Sequence, residues 1–276
     1  MICMKVDTIK PILRWAGGKT WLVPKIGELL PANFGDYYEP FLGGGAVYFN
    51  VEICGNPFLS DTNGQLINAY KVIRDRFEDL CKQLGKYNNT KEEYYEVREK
   101  NYTDCVNRAA QFMYLNRTCF NGIYRVNKMG KFNVPYGFKE YKILFDFRKL
   151  KQISSKLRKA KLATCDFEET NTTLKKGDLV FLDPPYTVAA RNNGFLKYNE
   201  KIFSWEDQRR LAKYVDMLKR KDIFFILTNA KHESIFNLFG SICEPISVSR
   251  HSVIGGLKAK RGLVEEYVFT NCLKSG

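Results

Sequence analysis

Four short apolar runs along the chain end at polar or glycine positions, a pattern typical of buried strands that lead into a ligand site. The runs, with the residues that follow them, are Tyr37–Glu39 before Gly43–Gly45, Phe58–Ser60 before Asp61, Leu179–Leu182 before Asp183, and Ile223–Leu227 before Thr228 and Asn229. In an open parallel sheet the carboxyl ends of the strands line the ligand crevice, so carboxylates placed there suit a small-molecule site. The pattern predicts an α/β fold with a Rossmann-like, doubly wound sheet.

Helical patterns lie between these strands and dominate the middle of the chain. Ser204 and Asp207 form an S-x-x-D capping box, which predicts a helix between the last two strands. Residues 63–161 are polar and tyrosine-rich, with helical signals at Tyr94–Lys100 and Ala109–Leu115, so we predict a mostly helical insertion there. The predicted organisation is an α/β domain formed by residues 1–62 and 162–276, with the insertion at 63–161.

The chain carries a strong positive charge. Its 44 Lys and Arg residues against 30 Asp and Glu residues leave a formal net charge of +14. Such a balance favours a polyanionic partner, nucleic acid above all. Arg148–Lys161 contains seven basic and no acidic residues, which fits either a phosphate-facing surface or a solvated basic helix.

Other features of the composition narrow the class of protein. No apolar run is long enough to span a membrane and the N-terminus lacks a secretory signal pattern, so we expect a cytoplasmic protein with no membrane partner. The eight cysteines include no C-x-x-C pair and the chain has only two histidines, which argues against a metal site. We expect these cysteines to be small core residues without disulfides.

Two glycine-containing motifs are candidates for a cofactor site. Glu39–Gly45 (EPFLGGG) follows the first strand, and Asp61 ends the next one. A carboxylate about twenty residues after a glycine turn is typical of folds that bind ribose hydroxyls, so an adenosine-like ligand is indicated, although a purely structural turn stays open. Trp15–Thr20 (WAGGKT) ends like a phosphate loop, but Leu13 stands where that loop has glycine, which excludes an NTPase of this type.

The most specific motif is Asp183–Tyr186 (DPPY) at the end of a predicted strand. Proline has no N–H to donate, so the turn offers outward carbonyl acceptors beside a carboxylate and an aromatic ring. Acceptors on both N–H bonds of an exocyclic amine help to localise its lone pair toward an electrophilic methyl group, and the ring can stack on a base. An ordinary turn is the alternative.

Five motifs occur in a characteristic order. They are Trp15–Lys19, Glu39–Gly45, Phe120–Arg125 (FNGIYR), Phe132–Gly137 (FNVPYG) and Asp183–Tyr186. Together they resemble the Dam-type (D12 class, alpha group) DNA adenine-N6 methyltransferases, and the similarity extends from Ile12 to Asn271. The resemblance implies a methyltransferase sheet, S-adenosylmethionine as the cofactor, double-stranded DNA as the substrate, and a target-recognition role for the inserted module.

The resemblance also implies roles for individual residues. The expected cofactor-binding residues are Trp15, Ala16, Gly17, Lys19, Phe41, Gly43, Asp61, Asp166, Phe167 and Asp183, with Asp61 on the ribose hydroxyls. The expected catalytic residues are Asp183, Pro184 and Tyr186, with Tyr186 stacked on the flipped adenine. The expected DNA-binding residues are Arg14, Arg117, Phe120, Asn121, Ile123, Arg125 and Pro135, with Phe120 as an intercalating aromatic. Ser249–Ser252 with Gly255 and Gly256 is similar to the family's basic glycine loop.

The sequence therefore predicts a site-specific DNA adenine-N6 methyltransferase that acts on a flipped-out adenine. GATC is the expected site, since Arg125 suits guanine while Ile123 and Pro135 suit a thymine methyl, and family members with this hairpin pattern typically act on GATC. The alternatives are an RNA or protein amide methyltransferase, which the aspartate at 183 disfavours, and a catalytically silent DNA-binding module. A cognate restriction endonuclease stays open as a partner, as does the oligomeric state.

Overall fold

The computed structural model describes residues 8–127, 129–188, 203–251 and 263–273. The chain divides into two compact units. The first comprises residues Met1–Val23, Leu42–Glu52 and Leu59–Cys165, and the second comprises Pro24–Phe41, Ile53–Phe58 and Asp166–Gly276. The domain boundaries near residues 62 and 162, which separate the expected catalytic domain from the expected recognition insertion, stay a prediction.

Helices and strands alternate at both ends of the chain, and helices fill its middle. The α-helices are α1 (Val23–Leu29), α2 (Gly64–Asp75), α3 (Phe77–Leu84), α4 (Lys91–Glu99), α5 (Cys105–Thr118), α6 (Phe147–Leu157), α7 (Trp205–Arg220) and α8 (Glu233–Phe239). The strands are β1 (Tyr37–Glu39), β2 (Pro57–Asp61), β3 (Lys161–Thr164), β4 (Leu179–Leu182), β5 (Phe224–Ala230), β6 (Ile246–His251) and β7 (Leu263–Thr270). Short 3₁₀ turns lie at Tyr48–Asn50, Phe120–Gly122 and Phe167–Thr172.

The strands form one seven-stranded sheet in the order β3-β2-β1-β4-β5-β7-β6. Strands β1, β4 and β5 run parallel, with Tyr38 opposite Val180 and Leu182 opposite Leu227. Strand β7 is antiparallel to both β5 and β6. From β1 the chain proceeds outward to β2 and β3, and it then returns to β4 on the other side of β1. This reversal is the topological switch point at which open α/β sheets bind ligands, and it confirms the predicted fold class.

The core of the second unit surrounds its parallel strands. Val180, Leu182, Phe225 and Leu227 are fully buried, and the apolar face of α7 packs against this cluster. Helix α7 begins where predicted, because Ser204 accepts from the backbone N–H of Asp207 and the Asp207 carboxylate accepts from that of Ser204.

The helices of the first unit begin at side-chain caps. The cap residues are Asn63 for α2, Thr90 for α4, Asp104 for α5 and Asp146 for α6, each of which accepts a backbone N–H of the first turn. Tyr94, Tyr114, Leu115, Val134 and Tyr136 form a buried cluster in this unit. The helical signals at Tyr94–Lys100 and Ala109–Leu115 therefore correspond to α4 and α5.

Three expectations need correction. The strand expected to stop at Leu227 continues to Ala230, because antiparallel pairing with β7 extends it to the Ala230–Glu266 pair. Strands β3, β6 and β7 were not predicted from periodicity. The expectation that the cysteines are core residues is wrong for Cys54 and Cys105, which are exposed. Among the described residues, no helix is long and apolar enough to cross a bilayer.

Candidate functional site

The Asp183–Tyr186 segment leaves the carboxyl end of β4 at the switch point of the sheet. Asp183 and Tyr186 are half-buried, and Pro184 is buried. Because β1 and β4 are parallel neighbours, Pro40 and Phe41 leave β1 at the same edge of the sheet. This placement agrees with the expectation that the polar motif ends a central strand.

Thr228 holds the Asp183 carboxylate. Its Oγ1 donates a hydrogen bond of 2.9 Å to Oδ1 of Asp183, and the threonine has no exposed surface. Thr228 lies on β5, which pairs directly with β4, so the bond joins two adjacent strands of one sheet. The rotation of the carboxylate is therefore fixed by regular secondary structure rather than by a loop.

Tyr186 is held from strand β7. Its hydroxyl donates a hydrogen bond of 2.6 Å to Oε2 of Glu266, and the other carboxylate oxygen of Glu266 accepts from Nε of Arg250. Burial raises the pKa of Tyr186 well above its ordinary value, and the negative charges of Asp183 and Glu266 raise it further. Tyr186 consequently stays protonated and acts as a donor to Glu266 at neutral pH.

Phe41, Asp166 and Phe167 lie together in the second unit. The rings of Phe41 and Phe167 stack at a centroid distance of 5.5 Å. Asp166 caps the 3₁₀ turn that begins at Phe167, accepting from the N–H of Glu168. Arg210 on α7 donates to Asp166 at 2.7 Å, and its guanidinium lies over the Phe167 ring at 5.1 Å. Arg210, which no sequence motif marks, thus fixes the turn at Asp166 and Phe167.

Asp61 and Gly43 are in direct contact in the first unit. Oδ2 of Asp61 accepts the N–H of Gly43 at 3.0 Å, and Oδ1 accepts that of Asn63 at 2.9 Å. Burial raises the pKa of the Asp61 carboxyl above its usual range, because lost hydration outweighs these two hydrogen bonds. A Cβ at Gly43 would lie 2.6 Å from Cδ1 of Trp15, so only glycine fits beside that ring.

The Trp15–Lys19 turn presents its backbone and not its lysine. Ala16 and Gly17 are exposed, whereas Lys19 is only 3% exposed and its Nζ donates to the carbonyl of Gly17 at 2.7 Å. A phosphate-binding lysine has to extend beyond its loop, so this conformation agrees with the exclusion of an NTPase. Trp15 stacks on Tyr124 at 5.6 Å.

The predicted DNA-binding residues gather around one short hairpin. Cys119 and Tyr136 form an antiparallel bridge, beside which the N–H of Phe120 donates to the carbonyl of Pro135. Phe120 is 51% exposed, and Asn121 has a positive φ of 56°. The hairpin therefore presents an aromatic side chain on a tight turn, as an intercalating residue requires.

Arg125 is oriented by a residue from the other side of this hairpin. Its Nε donates to Oδ1 of Asn133 at 2.9 Å, while the guanidinium stays exposed. Ile123, between Phe120 and Arg125, is half-buried. The side chain of Asn133 thus limits the directions in which Arg125 can point.

Arg14 and Arg117 converge on the ring of Tyr141. The two guanidinium carbons lie 5.9 and 4.1 Å from the ring centroid. Burial lowers the pKa of Arg117, while Tyr141 raises it and the charge of Arg14 lowers it slightly. Backbone bonds to Asn116 hold Arg14 in place.

Comparison with known proteins decides the family. The model of the D12 class N6 adenine-specific DNA methyltransferases matches residues 15–254.

The chain belongs to this family of D12 class DNA methyltransferases.

Several proteins resemble it over most of their length. Type II methyltransferase M.MjaIII of Methanocaldococcus jannaschii is 36% identical over 88% of this chain and 90% of its own. Type II methyltransferase M1.LlaDCHI of Lactococcus lactis subsp. cremoris is 34% identical over 95% of both chains. A DNA adenine methylase of Haemophilus influenzae is 31% identical over 95% of this chain and 88% of its own.

The protein is therefore an adenine-specific DNA methyltransferase that modifies N6, as predicted. The family assignment excludes the two alternatives, an amide methyltransferase and a silent DNA-binding module. DNA is consequently its substrate.

Sequence reasoning missed the residues that support the methyltransferase motif. Glu266 could have been selected from the sequence, because a carboxylate inside the apolar run of β7 needs a buried partner. Arg250 was grouped with a basic loop, but it lies on β6 and its side chain contacts Glu266. Ser252, Gly255 and Gly256 of that expected loop lie outside the described residues. Arg210 had no recognisable sequence signal, and Asn133 lies within the Phe132–Gly137 motif but was not selected as a site residue.

Proposed function

We propose that this methyltransferase transfers the methyl group of S-adenosylmethionine to N6 of an adenine rotated out of double-stranded DNA. The observation that carries the proposal is the double anchoring of the Asp183–Tyr186 motif. Thr228 bonds the Asp183 carboxylate, and Glu266 bonds the Tyr186 hydroxyl. Both anchors stand on strands, which hold reacting groups more accurately than loops do, and transfer between two bound reactants depends on such positioning.

Asp183 and Pro184 supply the acceptors for the target amine. When bound, S-adenosylmethionine would supply a methyl group on a sulfonium sulfur. The N6 lone pair would form a bond to the methyl carbon as the carbon–sulfur bond breaks in line, which leaves a neutral thioether, and N6 would then lose one proton. The Asp183 carboxylate and the Pro184 carbonyl accept the two N–H bonds of the amine, which turns its lone pair out of conjugation with the ring. Tyr186 stacks on the base and keeps its plane fixed.

The residues of each unit fit an adenosine-containing cofactor. A carboxylate has about four acceptor positions, so Asp61 can receive ribose hydroxyls beyond the N–H groups of Gly43 and Asn63. Gly43 leaves its backbone uncovered by a side chain, and Phe41 and Phe167 offer aromatic surface. We assign Asp61 to the ribose and Asp166 and Phe167 to the adenine ring. The remaining proposed contacts are Trp15, Ala16, Gly17, Lys19, Phe41, Gly43 and Asp183.

The proposed target-recognition segment comprises residues 63–161. The proposed catalytic domain comprises residues 1–62 and 162–276. Chemistry on N6 requires the adenine to leave the base stack, at a cost of a few kcal/mol. Insertion of Phe120 into the vacated space and phosphate contacts of basic residues offset that cost. Arg14, Arg117 and Asn121 are proposed DNA contacts in this segment and next to it.

GATC is the proposed recognition site. Asn133 orients the exposed guanidinium of Arg125, because its side chain accepts from Nε and its carbonyl accepts from Nη2 at 3.5 Å. The planar set of guanidinium donors matches guanine O6 and N7. Ile123 and Pro135 offer apolar surface for a thymine methyl group. Similarity to a protein named DNA adenine methylase supports adenine as the modified base within the site.

A cognate restriction endonuclease is the proposed biological partner. The support is that two relatives are named type II methyltransferases. The partner should cleave the site that this enzyme modifies, and only when that site is unmethylated. A nuclease from the same source that cuts methylated and unmethylated plasmid equally would contradict this pairing.

The test is expression in a host that lacks adenine methylation, followed by sequencing with detection of modified bases. Wild-type enzyme should modify the adenine of GATC. Asp183→Ala should bind S-adenosylmethionine within about tenfold of wild type, yet turn over at least ~100-fold more slowly, as loss of a transition-state acceptor does. Asp216→Asn, at a surface carboxylate paired with Arg220, is the matched control. A modification map without GATC refutes the site, and near-normal single-turnover rates in Asp183→Ala refute the catalytic assignment.

A further inference from the structure

A buried ion pair stands behind the catalytic tyrosine. Glu266 is only 1% exposed and accepts from the Tyr186 hydroxyl through Oε2 and from Arg250 through Oε1. The side chain of Arg250 is itself 14% exposed. The two charged residues follow Tyr186 by more than sixty positions, and neither was expected from the sequence to contact it.

The pairing of the strands explains how these side chains meet. Glu266 on β7 lies opposite Ala230 on β5 and opposite Val248 on β6. Paired residues share a face of the sheet, and so do residues two apart on one strand. Arg250 therefore lies on the face of Glu266, diagonal to it, and Thr228 lies on this face as well. Thr228, Glu266 and Arg250 therefore come from one face of three neighbouring strands.

A carboxylate at this position is costly unless it has a specific task. Burial of an ionised group is unfavourable, and a neutral acceptor would satisfy a tyrosine hydroxyl equally well. Arg250 forms an ion pair with Glu266, and a charged acceptor forms a shorter and stronger hydrogen bond than a neutral one. The arrangement holds the Tyr186 hydroxyl more tightly than folding alone requires.

We propose that Glu266 and Arg250 are positioning residues for Tyr186, an inference that rests on the proposed stacking of Tyr186 on the target adenine. The Glu266 carboxylate fixes the hydroxyl, and the hydroxyl fixes the plane of the ring. Arg250 supplies the charge that holds the carboxylate in place. Since the ring orients the base and not the cofactor, the pair acts on turnover and leaves cofactor affinity unchanged.

A double-mutant cycle on Tyr186 and Glu266 tests this inference in the full-length enzyme. Tyr186→Phe keeps the ring and removes the hydroxyl, and Glu266→Gln removes the charge with little change of volume. Each should lower kcat about tenfold while the Kd for S-adenosylmethionine stays within about twofold. The double variant should match Tyr186→Phe, because Glu266 acts through the hydroxyl. Wild-type kcat in Glu266→Gln, or a double variant about tenfold below Tyr186→Phe, overturns the inference.

Two further sets of variants keep the test independent of folding. Glu265→Gln is the matched control, because Glu265 precedes Glu266 on β7 and pairs with Lys231 at the surface; it should keep wild-type kcat. If Glu266→Gln does not fold, Arg250→Met and Arg250→Lys replace it. The lysine should restore kcat to within about threefold of wild type while the methionine does not, since a cation is what the carboxylate needs. Equal kcat for the two overturns the role of Arg250.

Tyr186→Ala separates this inference from the proposed function. If Tyr186→Ala keeps full turnover, the assignment of Tyr186 as the base-stacking residue fails. If Tyr186→Ala loses turnover but Tyr186→Phe and Glu266→Gln keep it, the base-stacking role stands and only the positioning inference fails.

Discussion

The hydroxyl of Thr228 donates to the carboxylate of Asp183 from the neighbouring strand, within the buried part of the sheet. Removal of this hydroxyl should allow the carboxylate to rotate. We expect Thr228→Val, which preserves the shape, to lower kcat about tenfold with cofactor affinity unchanged, because the donor that orients the Asp183 acceptor is lost. Thr228→Ser retains the donor and is the control. Single-turnover rates measure the effect, and equal rates for the valine and serine variants would contradict it.

Cofactor affinity should depend on pH through Asp61. Burial raises the pKa of this carboxyl in the free protein, so the folded state holds the proton more tightly than the unfolded state. The stability contributed by protonated Asp61 is present below its unfolded pKa and is lost as the pH rises through the folded pKa. The ribose hydroxyls bind the ionised form of Asp61. The Kd for S-adenosylmethionine should therefore rise as the pH falls from neutral toward that raised pKa.

Calorimetric titration of wild type and Asp61→Ala at several pH values checks this dependence. The alanine variant should bind more weakly at neutral pH and lose the part of the pH dependence that Asp61 supplies. Parallel curves for the two proteins would remove Asp61 as the titrating ribose acceptor.

The basic end of α6 should set the salt dependence of DNA binding. Lys156, Arg158 and Lys159 are exposed, whereas Lys151 is already paired with Glu78 at 3.6 Å. Glutamine at these three exposed positions should lower the slope of log affinity against log salt by about one to three, because each phosphate contact releases about 0.9 counterion. The methylated site should not change.

A control variant with the same net charge distinguishes the loss of phosphate contacts from the effect of a lower overall charge. Glutamine at Lys175, Lys213 and Lys221, which are exposed in the second unit, removes the same number of charges. This triple variant should keep a slope closer to that of wild type. Equal slopes for the two triple variants would favour the solvated-helix interpretation of the basic tract.

Asn133 should contribute to specificity through Arg125. Arg125→Ala should cost about 1 to 3 kcal/mol at one base pair and relax discrimination there, since a bidentate contact to guanine is lost. Asn133→Ala should produce a smaller loss at the same base pair, because it frees Nε of Arg125 without removing the guanidinium. Competition between single-substituted duplexes measures both effects, with Arg98→Ala as a control distant in sequence. Equally weakened binding to all duplexes would indicate that Arg125 contacts a phosphate and does not read a base.

The sequence predicted those elements that have a local signature. The capping box at Ser204 marked the start of α7, and apolar runs marked β1, β2, β4 and most of β5. Strand β7 escaped prediction because Glu265 and Glu266 interrupt its apolar pattern, and only the fold shows that one is at the surface and the other is buried.

The site was predictable to the extent that its chemistry resides in contiguous motifs. Asp61 and Asp183 could be selected because Asp61 ends a strand and Asp183 follows one. Arg210 could not, since an arginine on an amphipathic helix is ordinary until the fold places it beside Asp166 and Phe167. Contacts between residues far apart in the chain depend on strand order, which periodicity does not encode.

The position of β7 between β5 and β6 makes the last strand that the structure describes a requirement for the rest of this edge of the sheet. Among the described strands β6 pairs with β7 alone, so it has no place in the sheet until β7 is added. Until β7 is inserted, Tyr186 lacks its acceptor Glu266, and a nascent chain that already contains the whole Asp183–Tyr186 motif has that motif only half anchored. The sheet thereby couples completion of the catalytic motif to the arrival of Leu263–Thr270, so that incomplete chains should be poor catalysts even where the cofactor residues have already folded.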